Sequence, residues 1–253
     1  MYSDTKQQIL DIIKDSTGIS VNSIILALNK NASGIFRHLK KLMENGQIRK
    51  VGKPPKVLYY YQYNNMEKNI FSKKILNWAT ASEPEAIKSD WLCPTRDVFQ
   101  ARSDRLLNEL KNTNDQNLAF IMAAIVGEIG NNSLDHNLGN WRDVMGLLFF
   151  ADIQNRKIYL ADRGQGVLSS LKRVRPDITN HEQALKIAFT DIISGRAPEQ
   201  RGNGLKYVAK NVKSQKLWLE YYSGDYQCEI KNGEMAIKPS TIFVSGTLCI
   251  INY

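Results

Sequence analysis

Residues 127–137 read GEIGNNSLDHN and close a longer run, residues 116–136, QNLAFIMAAIVGEIGNNSLDH. The run contains no proline, and its apolar residues cover most of a helical surface, the pattern of a helix packed deep against a sheet. Helical spacing places Glu128, Asn132 and Asp135 on one stripe. Polar groups on such a helix cost free energy unless they are paired or functional. A carboxylate one turn from an amide oxygen suits a hard, octahedral magnesium ion that keeps its waters. In that reading Asn132 ligates the metal and Glu128 polarises a water or hydroxyl for attack on a phosphate. For this motif in isolation a plainer reading is better: Asn131, Asn132 and Asp135 are solvated or capping residues, and His136 is an ordinary surface histidine.

Two later motifs change that balance. Residues 157–167, KIYLADRGQGV, are an apolar strand ending in an acid and two glycines, where backbone can approach a ligand closely. Asp162 is then placed to accept a hydrogen bond from an exocyclic amine, with Gly164 and Gly166 beside it; the alternative is a tight strand-to-helix turn. Residues 193–214, ISGRAPEQRGNGLKYVAKNVKS, are a polar stretch leading into a helix. Gly202, Asn203 and Gly204 can offer backbone N–H groups and a helix N-terminus to phosphates. Arg196, Arg201 and Lys206 can add charge, although basic residues in an exposed loop are more often simply solvated.

The order and content of these three motifs resemble the ATP-binding fold shared by gyrase, the heat-shock-chaperone ATPases, histidine kinases and mismatch-repair ATPases, called GHKL or Bergerat. The resemblance covers roughly residues 97–253. It implies Glu128 as catalytic base, Asn132 as magnesium ligand, Asp162 as reader of adenine, and Asp135, Gly164, Gly166, Arg201, Gly202, Gly204, Leu205 and Lys206 as further cofactor-binding positions. Residues 190–203 would form a lid over ATP. The nearest local likeness is to the small anti-sigma serine kinases, whose helix carries an acid, then Asn, then His at the spacing of Glu128, Asn132 and His136. Where the family often reads Gly-x-Gly-Leu-Gly, Leu205 is here followed by Lys206.

The rest of this segment predicts a two-layer α/β sandwich. VMGLLFFADIQ and KIYLADR pair around a turn near Asn155, and KLWLEYYS, YQCEIKN, EMAIKP and TLCIINY supply later strands. NHEQALKIAFT and GLKYVAKNVK supply amphipathic helices.

The first seventy residues are a different kind of text. SDTKQQILDIIKDS, VNSIILALN and NASGIFRHLKKLMENG read as three helices, the last starting at an Asn or Ser cap and stopping at Asn45-Gly46. The strand QIRKVG, a Lys-Pro-Pro-Lys tip and VLYYYQY follow. This pattern resembles a winged helix-turn-helix of bacterial transcription regulators over about residues 3–63. In that geometry the third helix enters the major groove and the hairpin tip lies against the backbone. Ser33, Arg37, His38, Lys40 and Lys41 are candidates on the helix, and Lys53 and Lys56 on the wing. Residues 1–70 hold 11 Lys and Arg against 5 Asp and Glu, a balance of +6 within the chain's +9. A basic face attracts phosphates, which favours double-stranded DNA over a purely protein-binding role.

The expected domains are thus a winged helix-turn-helix at 1–65, a helical connector at 66–96 whose turn-rich SEPEAIKSDWLCP is the natural boundary, and an ATP-binding domain at 97–253, giving an α+β chain. At 253 residues and 43% hydrophobic content there is room for two cored domains. No apolar run approaches the length of a membrane span, and the N-terminus lacks a secretion segment. Cys93, Cys228 and Cys249 are an odd number without metal-like spacing, which predicts a cytoplasmic protein with buried, reduced thiols. No dimerising hairpin with a phosphoacceptor histidine is visible, so autophosphorylation on His is not expected. The sequence predicts ATP and magnesium as cofactors, and magnesium-dependent ATP hydrolysis by a DNA-binding, nucleotide-responsive regulator. A serine/threonine protein kinase of anti-sigma type and a binding switch without turnover are the alternatives. A protein partner and a homodimer are compatible with all three.

Overall fold

A computed structural model describes residues 4–16, 18–62, 65–112, 115–191 and 204–253. The chain divides into two compact units, Met1–Phe71 and Ser72–Tyr253. In the first, α1 (Thr5–Lys14), α2 (Val21–Leu28) and α3 (Ala32–Glu44) precede a hairpin of β1 (Ile48–Val51) and β2 (Leu58–Tyr61). Each helix begins where a short polar side chain satisfies an otherwise orphaned amide. Asp4 accepts from the Lys6 N–H at 3.3 Å, Ser20 from Ser23 at 3.1 Å and Asn31 from Gly34 at 2.7 Å. Ile9, Ile13, Ile24, Ile35, Leu39 and Leu42 are fully buried, and Ile48 and Tyr59 of the hairpin close this core. The hairpin pairs Ile48 with Tyr61 and Val51 with Leu58, leaving residues 52–57 as its tip. Gly52 has φ +92°, and a Cβ there would lie 2.1 Å from the Lys56 carbonyl oxygen, so the tip closes only on glycine.

The second unit starts within α4 (Asn65–Thr80). A short 3-10 turn (Ser89–Trp91), β3 (Leu92–Cys93), α5 (Arg96–Lys111), α6 (Gln116–His136), β4 (Leu147–Asp152) and β5 (Lys157–Asp162) follow. Then come α7 (Gly166–Lys172), α8 (His181–Thr190), α9 (Gly204–Ser214), β6 (Trp218–Lys231) and β7 (Glu234–Asn252). The strands form one antiparallel sheet in the order β3-β4-β5-β7-β6. The chain is therefore a winged-helix unit followed by a mixed α+β unit built on a sheet. The four later strand runs are two long strands: the break at Ser223-Gly224-Asp225 is a shift of register inside the β6–β7 pairing, with Gly224 at φ +67°, rather than a turn between strands.

Side-chain alternation sorts the sheet into two faces. Leu147, Phe149, Ile158, Leu160, Cys249 and Ile251 pack with α5, α6, α8 and α9 into one core. The opposite face is covered near β4 and β5, where Trp91 packs on Phe150 at 4.5 Å and Ser72 shares a 2.8 Å hydrogen bond with the Tyr159 hydroxyl. The expected two layers are thus joined locally by a third, supplied by residues 72–91, because Phe150 and Tyr159 are too large and apolar to leave in water. All three cysteines are buried and free, and burial pushes the Cys228 and Cys249 thiols up. No described helix is long and apolar enough to cross a membrane.

Close packing of α5 on α6 runs through glycine. A Cβ on Gly130 would meet the fully buried Phe99 ring at 2.1 Å, whereas one on Gly127 would meet nothing within 4 Å. Gly→Ala gains about 1 kcal/mol of helix propensity, and overpacking costs about 1–3 kcal/mol. Gly127→Ala is therefore expected to stabilise by up to about 1 kcal/mol and Gly130→Ala to destabilise by up to about 2 kcal/mol net, read as a higher and a lower urea midpoint. Equal midpoints in the two variants would show that the Phe99 ring gives way freely.

Candidate functional site

The first of the three motifs lies on α6, and the other two motifs of the second unit each meet α6 or its end, the start of α9 at Glu128 and Asn132 and the end of β5 at Ser133 and Asn137. Glu128 and Asn132, one turn apart on α6, both face Gly204, the first residue of α9. A Cβ on Gly204 would lie 2.5 Å from Glu128 Oε2 and 3.0 Å from Asn132 Nδ2. A carboxylate and an amide thus sit against the N-terminal end of a helix of 11 residues, where backbone N–H groups point outward and the dipole favours negative charge. Glu128 is exposed and Asn132 half-buried, so both reach solvent and any ligand in it. Among the described residues no group of three or more His, Cys, Asp or Glu is placed to hold a metal. An amide oxygen beside a carboxylate fits a magnesium ion that keeps its waters and takes its remaining ligands from phosphates.

Asp162 closes β5 and is wholly buried. Its Oδ1 accepts from Asn137 Nδ2 at 2.9 Å and from the Gly164 N–H at 2.9 Å, and its Oδ2 accepts from the Thr247 hydroxyl. Ser133 adds a further side-chain hydrogen bond. Burial raises the Asp162 carboxyl above the ordinary carboxylate range, against the lowering effect of these donors. Asn137 is almost as deeply buried. Its Nδ2 also donates to the Ser133 carbonyl at 2.9 Å, and its Oδ1 accepts from the Gln165 N–H at 3.0 Å.

The glycines of these motifs are demanded by the protein's own packing. A Cβ on Gly164 would fall 1.9–2.2 Å from the Asn137 amide group. Gly166 has φ +72°, and its Cβ would lie 2.7 Å from the Ser245 carbonyl oxygen. Gly246 is equally constrained, its Cβ 2.2 Å from the Asp162 carbonyl oxygen.

Arg163, next to Asp162, is buried on the other side of the strand end. Its Nε donates to Asp143 at 2.8 and 3.0 Å, and its two terminal nitrogens reach the Trp78, Ala81 and Ser82 carbonyls at 2.5, 2.8 and 3.2 Å and Asp143 again at 2.5 Å. This guanidinium holds the Asp143 carboxyl below its ordinary range.

Other expected site residues lie elsewhere. Asp135 is exposed and paired with Arg96 at the start of α5, which also donates to Asn131 at 3.1 Å. Leu205 packs against the core as an apolar residue. Lys206 is half-buried on α9, and burial lowers its ammonium below the ordinary lysine range. Arg196, Arg201, Gly202, Asn203 and most of the expected lid lie outside the described residues. Sequence reasoning missed Ser133, Asn137, Arg163 and Thr247. Ser133 and Asn137 carry a readable signal, since they stand one turn apart on the helix already singled out.

On the first unit, Ser33, Arg37, Lys40 and Lys41 are exposed on α3, opposite buried Ile35, Leu39 and Leu42, and His38 is half-buried. Ser33 donates to the capping Asn31 side chain at 3.2 Å, and Lys40 lies 4.0 Å from Glu44. Phe36, also missed, is 50% exposed on this helix, an aromatic suited to apolar contact with a base edge. Lys53 and Lys56 are exposed at the hairpin tip, joined by a 2.8 Å bond from the Lys56 N–H to the Lys53 carbonyl.

Residues 2–49 match the family described as winged helix-turn-helix DNA-binding. The match spans α1 to α3 and the start of β1, and leaves the sheet unit outside it. Comparison with curated proteins finds no significant match. The chain thus carries an N-terminal winged helix-turn-helix DNA-binding domain.

Proposed function

We propose that the chain is a nucleotide-responsive DNA-binding regulator of the cytoplasm, whose second unit is a GHKL-type ATP-binding domain of Bergerat fold with magnesium-dependent ATPase activity. The observation that carries this reading is the meeting of Glu128 and Asn132 with Gly204, residues from two motifs more than seventy positions apart. Asp162, embedded in donors that include Ser133 and Asn137 at the end of the same helix, supports it. ATP with magnesium supplies an electrophilic γ-phosphoryl group. The α9 N-terminus would offer N–H groups and positive potential to the phosphates, and Asn132 would offer an oxygen to the metal. Glu128 would take the proton of the water that attacks the γ-phosphorus as the bond to the bridging oxygen breaks and ADP leaves. Asp162 accepts from the amino group of the base. Because its Oδ1 is held by Asn137 and Gly164, base binding requires Asn137 Nδ2 to yield one bond or a water to bridge. On the first unit, the face of α3 bearing Ser33, Arg37, His38, Lys40 and Lys41 enters the major groove, and Lys53 and Lys56 lie against phosphates.

Incubation with γ-labelled ATP and magnesium tests the chemistry: free labelled phosphate is expected. Label transferred to a protein would replace hydrolysis by kinase action, and neither product would leave a switch without turnover. Glu128→Ala is expected to lower turnover by at least about 100-fold while leaving nucleotide affinity within a few-fold; full turnover in this variant would remove Glu128 from the reaction.

Asp162→Asn separates binding from stability. A raised carboxyl means that the native state holds its proton more tightly than the unfolded chain. Stability therefore falls as pH rises from about 3.9, the ordinary value, toward the folded-state value. The amide has no such fall, so Asp162→Asn is expected to abolish nucleotide binding by calorimetry while unfolding at pH 8 at or above the wild-type temperature. Wild-type nucleotide affinity in this variant would refute the base-reading role.

On DNA, combined Lys53→Ala and Lys56→Ala are expected to weaken binding and to lower the slope of log K against log salt by about 2. An unchanged slope would take the wing off the phosphates.

A further inference from the structure

We infer that Arg163 is the positioning residue through which nucleotide at the Asp162–Gly164 turn acts on α4, and so on the winged-helix unit. The inference rests on the nucleotide-binding reading above. Its basis is geometric. Arg163 is fully buried, and all three guanidinium nitrogens are engaged. Three of its acceptors, the carbonyls of Trp78, Ala81 and Ser82, belong to the last turn of α4 and the two residues after its end, where helix carbonyls have no intrahelical partner. The other acceptor, Asp143, is spanned by Nε and a terminal nitrogen, the fork that arginine makes and lysine cannot.

The backbone on either side of this fork belongs to the candidate site. Asp162 precedes it, and the Gly164 N–H that follows donates to Asp162 Oδ1. The Arg163 carbonyl itself accepts from the Arg142 N–H at 3.1 Å, adjacent to Asp143. A base that takes Asp162 Oδ1 from Gly164 or Asn137 shifts the turn from which Arg163 projects. Because the guanidinium is packed and bonded on all sides, that shift is delivered to the end of α4 rather than absorbed by a flexible side chain. Trp78, whose ring lies 5.9 Å from the Arg163 guanidinium carbon and which is 2% exposed, stiffens the same end. α4 is one helix from Asn65 to Thr80, and the boundary between the units falls inside it, after Phe71. A change at its C-terminal end therefore acts on a helix that contributes residues to both units.

The test measures three quantities on the full chain: ATP affinity by calorimetry, affinity for a 30-base-pair random duplex with and without ATP and magnesium, and amide exchange over residues 72–82. In the wild type, nucleotide is expected to change DNA affinity by about fivefold or more, the lower range of allosteric coupling, and to alter exchange over 72–82. Arg163→Lys keeps a cation for Asp143 but loses the fork. It is expected to bind ATP within threefold of wild type while its DNA affinity and its exchange over 72–82 no longer respond to nucleotide. A purely structural role would lower ATP affinity and thermal stability together and leave the coupling ratio unchanged, which overturns the inference. So does nucleotide binding to the wild type with no effect on DNA affinity, an outcome that leaves the ATP-binding reading intact. Absence of ATP binding to the wild type refutes that reading itself, and this inference with it. Should Arg163→Lys fail to fold, Asp143→Asn, which loosens the same fork from its other side, is expected to reduce the coupling at least threefold, and undiminished coupling there is a refutation.

Discussion

Asp162 is an ionisable group with none of its surface in water, and the elements around it are arranged to offset that cost. An unpaired buried carboxylate is costly enough that it would take up a proton or unfold its surroundings. Here donors arrive from three directions: Ser133 and Asn137 from α6, Gly164 from the turn after β5, and Thr247 from β7. Each bond fixes the position of an element as well as stabilising a charge. The carboxylate therefore acts as a pin joining the central helix to the two central strands, and the glycines at 164 and 246 are consequences of how closely backbone and side chains gather around it. Arg163 extends the arrangement outward, fixing the end of α4 and Asp143 by the same logic with the opposite charge.

The first unit is stabilised differently. Its core is aliphatic, with the buried isoleucines and leucines of three capped helices closed by Ile48 and Tyr59. Its charge is left on the outer face of α3 and the hairpin tip, where side chains are free to meet phosphates. Burial thus selects which face is presented: Ile35, Leu39 and Leu42 turn inward, and helical spacing then turns Ser33, Arg37 and Lys40 outward.

Much of this was legible in the sequence because it depends on local chemistry. The three helices and hairpin of the first unit follow from caps, periodicity and a Gly-bounded tip, and α6 has the span its apolar pattern gives. The long β6 and β7 were not legible as single strands, since Gly224 and Pro239 look like turn residues, and only pairing across the hairpin shows Gly224 to be a shift of register and Pro239 a position paired with Tyr226. The site was legible in part. Spacing on α6 brought out Glu128 and Asn132, but it gave no means of knowing that Gly204 would lie against them. Thr247 and Arg163 were invisible because Asp162 is 85 residues from Thr247 and the α4-end carbonyls are 81 to 85 residues from Arg163, and no short motif carries information about contacts at that separation.

A glycine-rich motif is ordinarily read as room left for a ligand, yet at Gly164 the space where a side chain would stand is filled by Asn137. The two readings are compatible if the same atoms serve in succession. Asn137 is bonded to Asp162 through its amide nitrogen and to the Gln165 backbone through its amide oxygen, so it satisfies the buried carboxylate from one side and the turn from the other. A bound base that contributed one donor to Asp162 would release the Asn137 nitrogen and let the Gln165 turn, bonded to the Asn137 oxygen, move with it. The net number of hydrogen bonds to the carboxylate would be preserved, and the buried charge would not be left unpaired at any stage. Under that exchange the cost of burying Asp162 is met by the protein alone before binding and shared with the ligand afterwards. This makes the buried acid a group whose surroundings respond to occupancy, rather than a fixed element of the core.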